Sequence, residues 1–110
     1  MLKYSEQLDL RFQALADPTR RAILDRLTHG PASVSDLAAP FAVTLAAVMQ
    51  HLRLLEEAGL VSSAKAGRVR TCQIEPDALR SIEDWVIDRR TTWERRLDRL
   101  GALLDGPDLR

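Results

Sequence analysis

The chain has 110 residues, one domain's worth, enough for an adequate core that a second copy would reinforce. Its 16 Lys and Arg balance 16 Asp and Glu, which excludes attachment to nucleic acid or membrane by bulk charge but leaves room for a local basic patch. The single cysteine, Cys72, excludes an internal disulfide and a Cys-x-x-Cys metal site and suits a reducing compartment. The stretch Met1–Asp17 scatters acids and lacks the apolar run of a signal peptide. No segment approaches the roughly 20 apolar residues that span a bilayer. We therefore expect a soluble, cytoplasmic protein without a membrane partner.

In chain order, Leu8, Phe12 and Leu15 have helical spacing over Tyr4–Ala16. Asp17-Pro18 reads as an N-cap followed by proline at the first position of a second helix, which turns Ile23, Leu24 and Leu27 inward and ends near Thr28. Gly30-Pro31 stops it. Ser33 caps a short third helix with Val34, Leu37 and Ala38 on its inner face, and Pro40 ends it. Thr44 caps a fourth helix, Leu45–Ala58, whose inward residues are predicted to be Leu45, Val48, Leu52 and Leu55. Gly59 supplies its left-handed C′ residue and Leu60 the apolar partner. Val61–Lys65 and Val69–Ile74 are β-prone and flank Gly67, a hairpin pattern. Glu75-Pro76-Asp77 opens the longest helix, to about Leu104. Its residues Leu79, Ile82, Val86, Trp93, Leu97, Leu100 and Leu104 form a seam for another helix, interrupted at Arg89. The tail Asp105–Arg110 is expected to fray.

The informative stretch is Val34–Ile74: short helix, turn, capped helix, ribbon. A helix-turn-helix places its second helix in the major groove, which is wide enough to admit one. Such a helix buries one face and offers the other to base edges. At about 100° per residue, Gln50 points away from the buried stripe, flanked by Ala46, Ala47 and Arg53. Small residues beside a long polar one permit close approach, and Gln pairs with adenine as Arg pairs with guanine. Leu54 also falls on that outer face, which suits a merely solvated surface equally well. Glu56 and Glu57 near the far end would repel phosphates, so only the N-terminal half suits the groove. In the hairpin, Val61–Cys72 contains Lys65, Arg68 and Arg70 and no carboxylate. Arg68 and Arg70, two apart, are expected to share a strand face. Cations at a ribbon tip suit phosphate or the minor groove, and they equally protect an exposed edge.

The segments FQALADPTRRAILDRL and TLAAVMQHLRLLEEAGLV, followed by the basic hairpin, resemble the ArsR family of winged-helix repressors. The resemblance runs from about Phe12 to Leu104. It implies a mainly α fold with a two-stranded β-hairpin wing, in one domain over residues 1–110. The helix-turn-helix occupies about 33–59, the wing about 61–74 and the C-terminal helix about 76–104. It implies a homodimer paired through the first and last helices, with Leu8, Phe12, Leu15, Trp85, Trp93, Leu97, Leu100 and Leu104 at the interface. It also implies a double-stranded DNA operator met by the fourth helix and wing. The expected contacts are Thr44, Ala46, Ala47, Gln50, His51, Arg53, Lys65, Arg68 and Arg70. The family often has Pro where Ala46 stands and Ser where Met49 stands; Met49 sits on the flank of the helix, where it suits packing rather than a base contact, so these departures leave the identity of the base contacts open. Metal-sensing members carry Cys-x-Cys in the third helix or His and Asp ligands in the last. Here the third-helix segment is Ser33-Val34-Ser35-Asp36, and the last helix has no His or Cys. The chain is similar to the branch without metal sites, and no cofactor is expected.

His29 reads as a cap at a helix C-terminus rather than a ligand. For His51 the resemblance implies a backbone or phosphate contact, and packing is the alternative. Cys72 reads as a small apolar strand residue, with redox sensing as the minor reading. Trp85 and Trp93 suit core or dimer packing. Arg89 and Arg90 are expected to reach solvent or Glu83, Asp84 or Asp88. Arg20 and Arg21 open a helix against its dipole, which calls for a partner, either an acid or a phosphate. No catalytic set appears. The reading is a sequence-specific repressor acting as a homodimer on a palindromic operator. The alternatives are a winged helix used for protein–protein contact, or a DNA-binding sensor released by a small molecule or by thiol oxidation.

Overall fold

The computed structural model describes residues 4–105, arranged as five helices and three strands. The helices are α1 (Tyr4–Leu15), α2 (Pro18–Leu27), α3 (Val34–Ala38), α4 (Leu45–Glu57) and α5 (Pro76–Leu104). The strands are β1 (Ala32–Ser33), β2 (Val61–Ala66) and β3 (Val69–Ile74). The chain groups into two compact units, the first ending at Leu79 and the second beginning at Arg80.

Helix boundaries follow local chemistry. Asp17 accepts a hydrogen bond from Arg20 N at 3.0 Å and Pro18 opens α2. Ser33 Oγ accepts from Asp36 N at 3.1 Å to cap α3. Thr44 Oγ1 accepts from Ala47 N at 3.1 Å to cap α4. Each cap satisfies an amide that the helix itself leaves unpaired. At the other end of α4, Leu60 N donates to Leu55 O at 3.0 Å and Gly59 N to Glu56 O at 2.9 Å. These two bonds form a Schellman closure, with Gly59 at φ 73° as its left-handed residue.

The wing is larger than the expected two-stranded hairpin. β3 lies at the centre of a three-stranded antiparallel sheet in the order β1-β3-β2. The register pairs Ala32 with Cys72 on one side and Ser63 with Cys72 on the other. Two residues are too few for alternating hydrophobicity to reveal β1 in the sequence. Between β2 and β3 the turn is Gly67-Arg68, with φ 62° at Gly67 and no positive φ at any described non-glycine residue. That is a type II′ pattern, which demands glycine first and matches the ribbon's twist.

The core of the first unit is apolar throughout. Ile23, Leu27, Leu37, Val48, Leu55, Leu60 and Cys72 are the largest fully buried side chains. Leu8, expected at a dimer interface, is buried within the chain itself and belongs to this core. Of the predicted inward face of α4, Val48, Leu52 and Leu55 are buried, but Leu45 is 51% exposed. Leu45 begins the helix at the edge of the stripe, so the core ends one turn later. Leu54, expected on the outer face, is half-buried and lines a small cleft with Leu10 and Ala14 of α1. In the second unit, Arg89 lies over the Trp85 ring, 4.4 Å from its centroid, and Arg90 Nε is 3.4 Å from Glu94 Oε1. Both arginines are exposed, in keeping with the expected reach to solvent.

Truncating Leu55 to Ala is expected to cost about 2–5 kcal/mol, because the cavity forms where α4 meets the core. Chemical denaturation at matched protein concentration checks this. A loss below about 1 kcal/mol would mean that α4 is not seated by this stripe.

Candidate nucleic-acid interface

Val48, Leu52 and Leu55 fix the rotation of α4 about its axis. With that stripe inward, Ala46, Gln50 and Arg53 fall on the opposite, exposed face. Ala47 is half-buried on the flank. Thr44 is exposed at the helix start, its Oγ1 already accepting from the backbone. Glu57 is exposed toward the C-terminal end and Glu56 half-buried.

Glu56 is tied to the sheet. Ser63 Oγ donates to Glu56 Oε1, and Arg70 Nη1 donates to Ser63 Oγ at 2.9 Å. One hydroxyl thereby links the α4 C-terminal turn to β2 and β3. Arg70 pairs directly with Lys65 across the ladder, whereas Arg68 belongs to the turn. The expected sharing of a strand face by Arg68 and Arg70 is therefore replaced by Lys65 and Arg70. Like charges opposite one another are locally unfavourable, and an anion set between them would relieve that cost. Lys65, Arg68 and Arg70 are all exposed. Together with Leu45, Met49 and Val69 they line an open cleft of about 490 Å³ between α4 and the wing, and no carboxylate lines it.

Three arginines bind main-chain carbonyls at helix ends, acceptors that sequence reasoning missed. Arg11 Nε donates to Ala58 O at 2.9 Å, closing the C-terminus of α4 from α1. Arg20 Nε donates to Ala14 O at 2.7 Å and its Nη2 to Gln13 O at 3.0 Å. Arg21 Nη1 donates to Leu15 O at 2.7 Å. Arg20 and Arg21 therefore satisfy the terminal carbonyls of α1, where cations are favoured, and the Arg20 charge also acts on the Asp17 carboxylate. Spacing within α2 could not reveal this, because the acceptors lie on another element.

His51 is half-buried beside this cluster. Its Nδ1 lies 3.3 Å from Arg20 Nη1 and 3.8 Å from Asp17 Oδ2. A guanidinium only donates, so in the neutral ring Nδ1 would accept from Arg20 and Nε2 would carry the proton, whereas a protonated ring would face Asp17. The Asp17 carboxyl is held below its ordinary value, chiefly by the hydrogen bond from Arg20 N and further by the charges of Arg20 and His51. His29 Nδ1 lies 3.2 Å from Asp25 O, the geometry of a cap on the α2 C-terminus. Cys72 is fully buried, and that burial together with nearby Glu56 pushes its thiol up, with Arg70 opposing. No group of three His, Cys, Asp or Glu among the described residues is arranged to hold a metal ion. No helix among them is long and apolar enough to cross a membrane.

Of the residues expected at a dimer interface, Phe12 is partly exposed and Leu15 and Trp85 are half-buried. In the second unit Trp93 is 60% exposed and Leu104 65%, with Leu97 and Leu100 also exposed. These four recur at steps of four, three and four, which keeps them on one helix face.

A helix-turn-helix domain model matches residues 15–64. The HTH-type transcriptional regulator Rv2034 of Mycobacterium tuberculosis is 42% identical over 97 residues, covering 88% of each chain. The crystal structure of the ArsR family transcriptional regulator RHA00566 superposes with a TM-score of 0.80 at 50% identity, covering 86% of this chain and 97% of that one. The solution structure of the homodimeric winged helix-turn-helix DNA-binding domain Mb0332 of Mycobacterium bovis gives a TM-score of 0.64 at 25% identity, over 82% of this chain and 84% of that one. With its capped fourth helix, basic wing and likeness across nearly its whole length to these regulators, the chain belongs to the ArsR family of winged helix-turn-helix transcriptional regulators.

Proposed function

We propose that the protein represses transcription as a homodimer bound to a palindromic operator in double-stranded DNA. The observation that carries this reading is the outer face of α4. Ala46, Gln50 and Arg53 stand opposite the buried Val48, Leu52 and Leu55, beside a wing bearing Lys65, Arg68 and Arg70. In this reading the N-terminal half of α4 enters the major groove, where Gln50 and Arg53 meet base edges. Thr44, Ala46 and Ala47 allow the approach. His51, whose Nδ1 faces Arg20 and Asp17, offers Nε2 to a phosphate. The wing cations meet phosphates or the minor groove. Zero net charge suits this division, since attraction is confined to the surface that docks.

The exposed Trp93, Leu97, Leu100 and Leu104 support pairing through α5 with a second copy. Phe12 and Leu15 of α1 are the further contacts we assign to it. A twofold axis would set two copies of α4 about 34 Å apart, one turn of duplex. Mb0332 is similar to this chain and homodimeric, which favours the same assembly. Repression is the sign implied by the resemblance to the family's repressors. We assign no metal to the switch, since the third-helix segment Ser33–Asp36 and the last helix contain no thiol or imidazole. Release by thiol oxidation is disfavoured by the burial of Cys72 and its upward-shifted ionisation, because the thiolate is the reactive form.

Binding to duplexes selected from a random pool tests the DNA reading. Arg68→Ala should weaken all duplexes alike and lower the salt slope by about one. Gln50→Ala should instead change base preference at one position of each half-site. Salt-independent binding in the native protein would favour a protein-contact module. Leu97→Glu should convert the dimer to monomer in sedimentation and cut operator affinity, whereas a persistent dimer would remove α5 from the interface. Alkylation of Cys72 in the folded protein should be far slower than in denaturant. Equal rates, or loss of operator binding on mild oxidation, would reinstate the redox switch.

A further inference from the structure

The cleft between α4 and the wing contains a feature that phosphate binding does not require. Leu45 is 51% exposed and Met49 50% exposed, and both lie in this cleft. They are four residues apart, so they form one continuous apolar strip along the flank of α4 that faces the wing. Val69 of β3 extends the apolar lining, while Lys65, Arg68 and Arg70 supply the charge. A single exposed leucine needs no explanation. Here the apolar strip and three cations converge on one open cleft with no carboxylate in its lining.

We infer that Leu45 and Met49 form a thymine-reading strip: they contact the C5-methyl of one or two thymines while the wing cations neutralise neighbouring phosphates. The inference rests on the proposed DNA reading and deepens it. The occupant must offer methyl-sized apolar groups beside a run of negative charges. A DNA strand carrying thymine meets both demands, because the methyl projects into the major groove and the phosphates line its edge. The same groove is where the outer face of α4 places Gln50. Leu45 and Met49 flank that face rather than centre it, so they meet bases adjacent to the one Gln50 reads. Cytosine offers no methyl at this position, and adenine and guanine present polar edges. The strip therefore adds selectivity for thymine that hydrogen bonding alone does not supply.

The experiment replaces each thymine of a selected operator, one at a time, by deoxyuridine. This removes the methyl and leaves every hydrogen-bonding group in place. At one or two positions per half-site, affinity of the native protein should fall about fourfold, the worth of one buried methyl-sized group. Met49→Ser should bind the thymine and uracil operators equally at one of those positions, and Leu45→Ala should do so at the same or the adjacent one. Both side chains are half-exposed, so their loss should leave the melting temperature nearly unchanged, which circular dichroism checks. If no replacement weakens binding, or if the variants keep the full thymine preference, the strip does not read thymine. If a long-chain anionic amphiphile competes with the operator while the uracil series is flat, the cleft is an effector site instead. If the native protein binds no duplex at any salt concentration, the DNA reading itself fails and this inference with it.

Discussion

The rotational setting of α4 governs everything at the interface. Three side chains, Val48, Leu52 and Leu55, are removed from water and determine which residues turn outward. A slip by one residue would rotate the helix by about 100° and replace Gln50 on the outer face with another side chain. The setting is reinforced at both ends. Thr44 satisfies the first turn, while the Schellman closure and Arg11 satisfy the last carbonyls. Packing chooses the face, and the end caps prevent the helix from fraying into alternative registers.

Charge is organised at short range in a molecule with no net charge. Arg11, Arg20 and Arg21 are spent on main-chain carbonyls at helix ends and lend their charge to the scaffold. Lys65, Arg68 and Arg70 occupy the wing without a carboxylate in the cleft beside them. Arg89 covers an indole ring in the second unit. Counting basic residues would not separate these roles. What separates them is the acceptor each guanidinium reaches.

Local signals in the sequence were sufficient for most of the fold. Asp17, Ser33 and Thr44 mark helix starts because their side chains accept from amides three residues ahead, a relation visible in the sequence itself. Gly59 and Gly67 mark turns because only glycine readily adopts the required φ. Contacts between distant elements were not legible. β1 is two residues long, and the partners of Arg20 and Arg21 lie on α1. The exposure of Leu45 was missed because helical periodicity gives an angle around one axis and says nothing of where neighbouring elements end. At the interface, the outward direction of Gln50 could be read from spacing, whereas the cleft of Leu45 and Met49 with the wing required the fold.

The acids at the C-terminal end of α4 carry a consequence for information content. With Glu57 exposed near that end, the proposed reading surface would be confined to about ten residues from Thr44 to Arg53. At about 1.5 Å per residue against 3.4 Å per base pair, that span covers about four base pairs. A four-letter word recurs by chance about every 256 positions, far too often to address one promoter among about a million competing sites. In the proposed homodimer, twofold duplication would lengthen the word to about eight letters, or about one chance occurrence in 65,000, so selectivity would reside in the pair rather than in either copy.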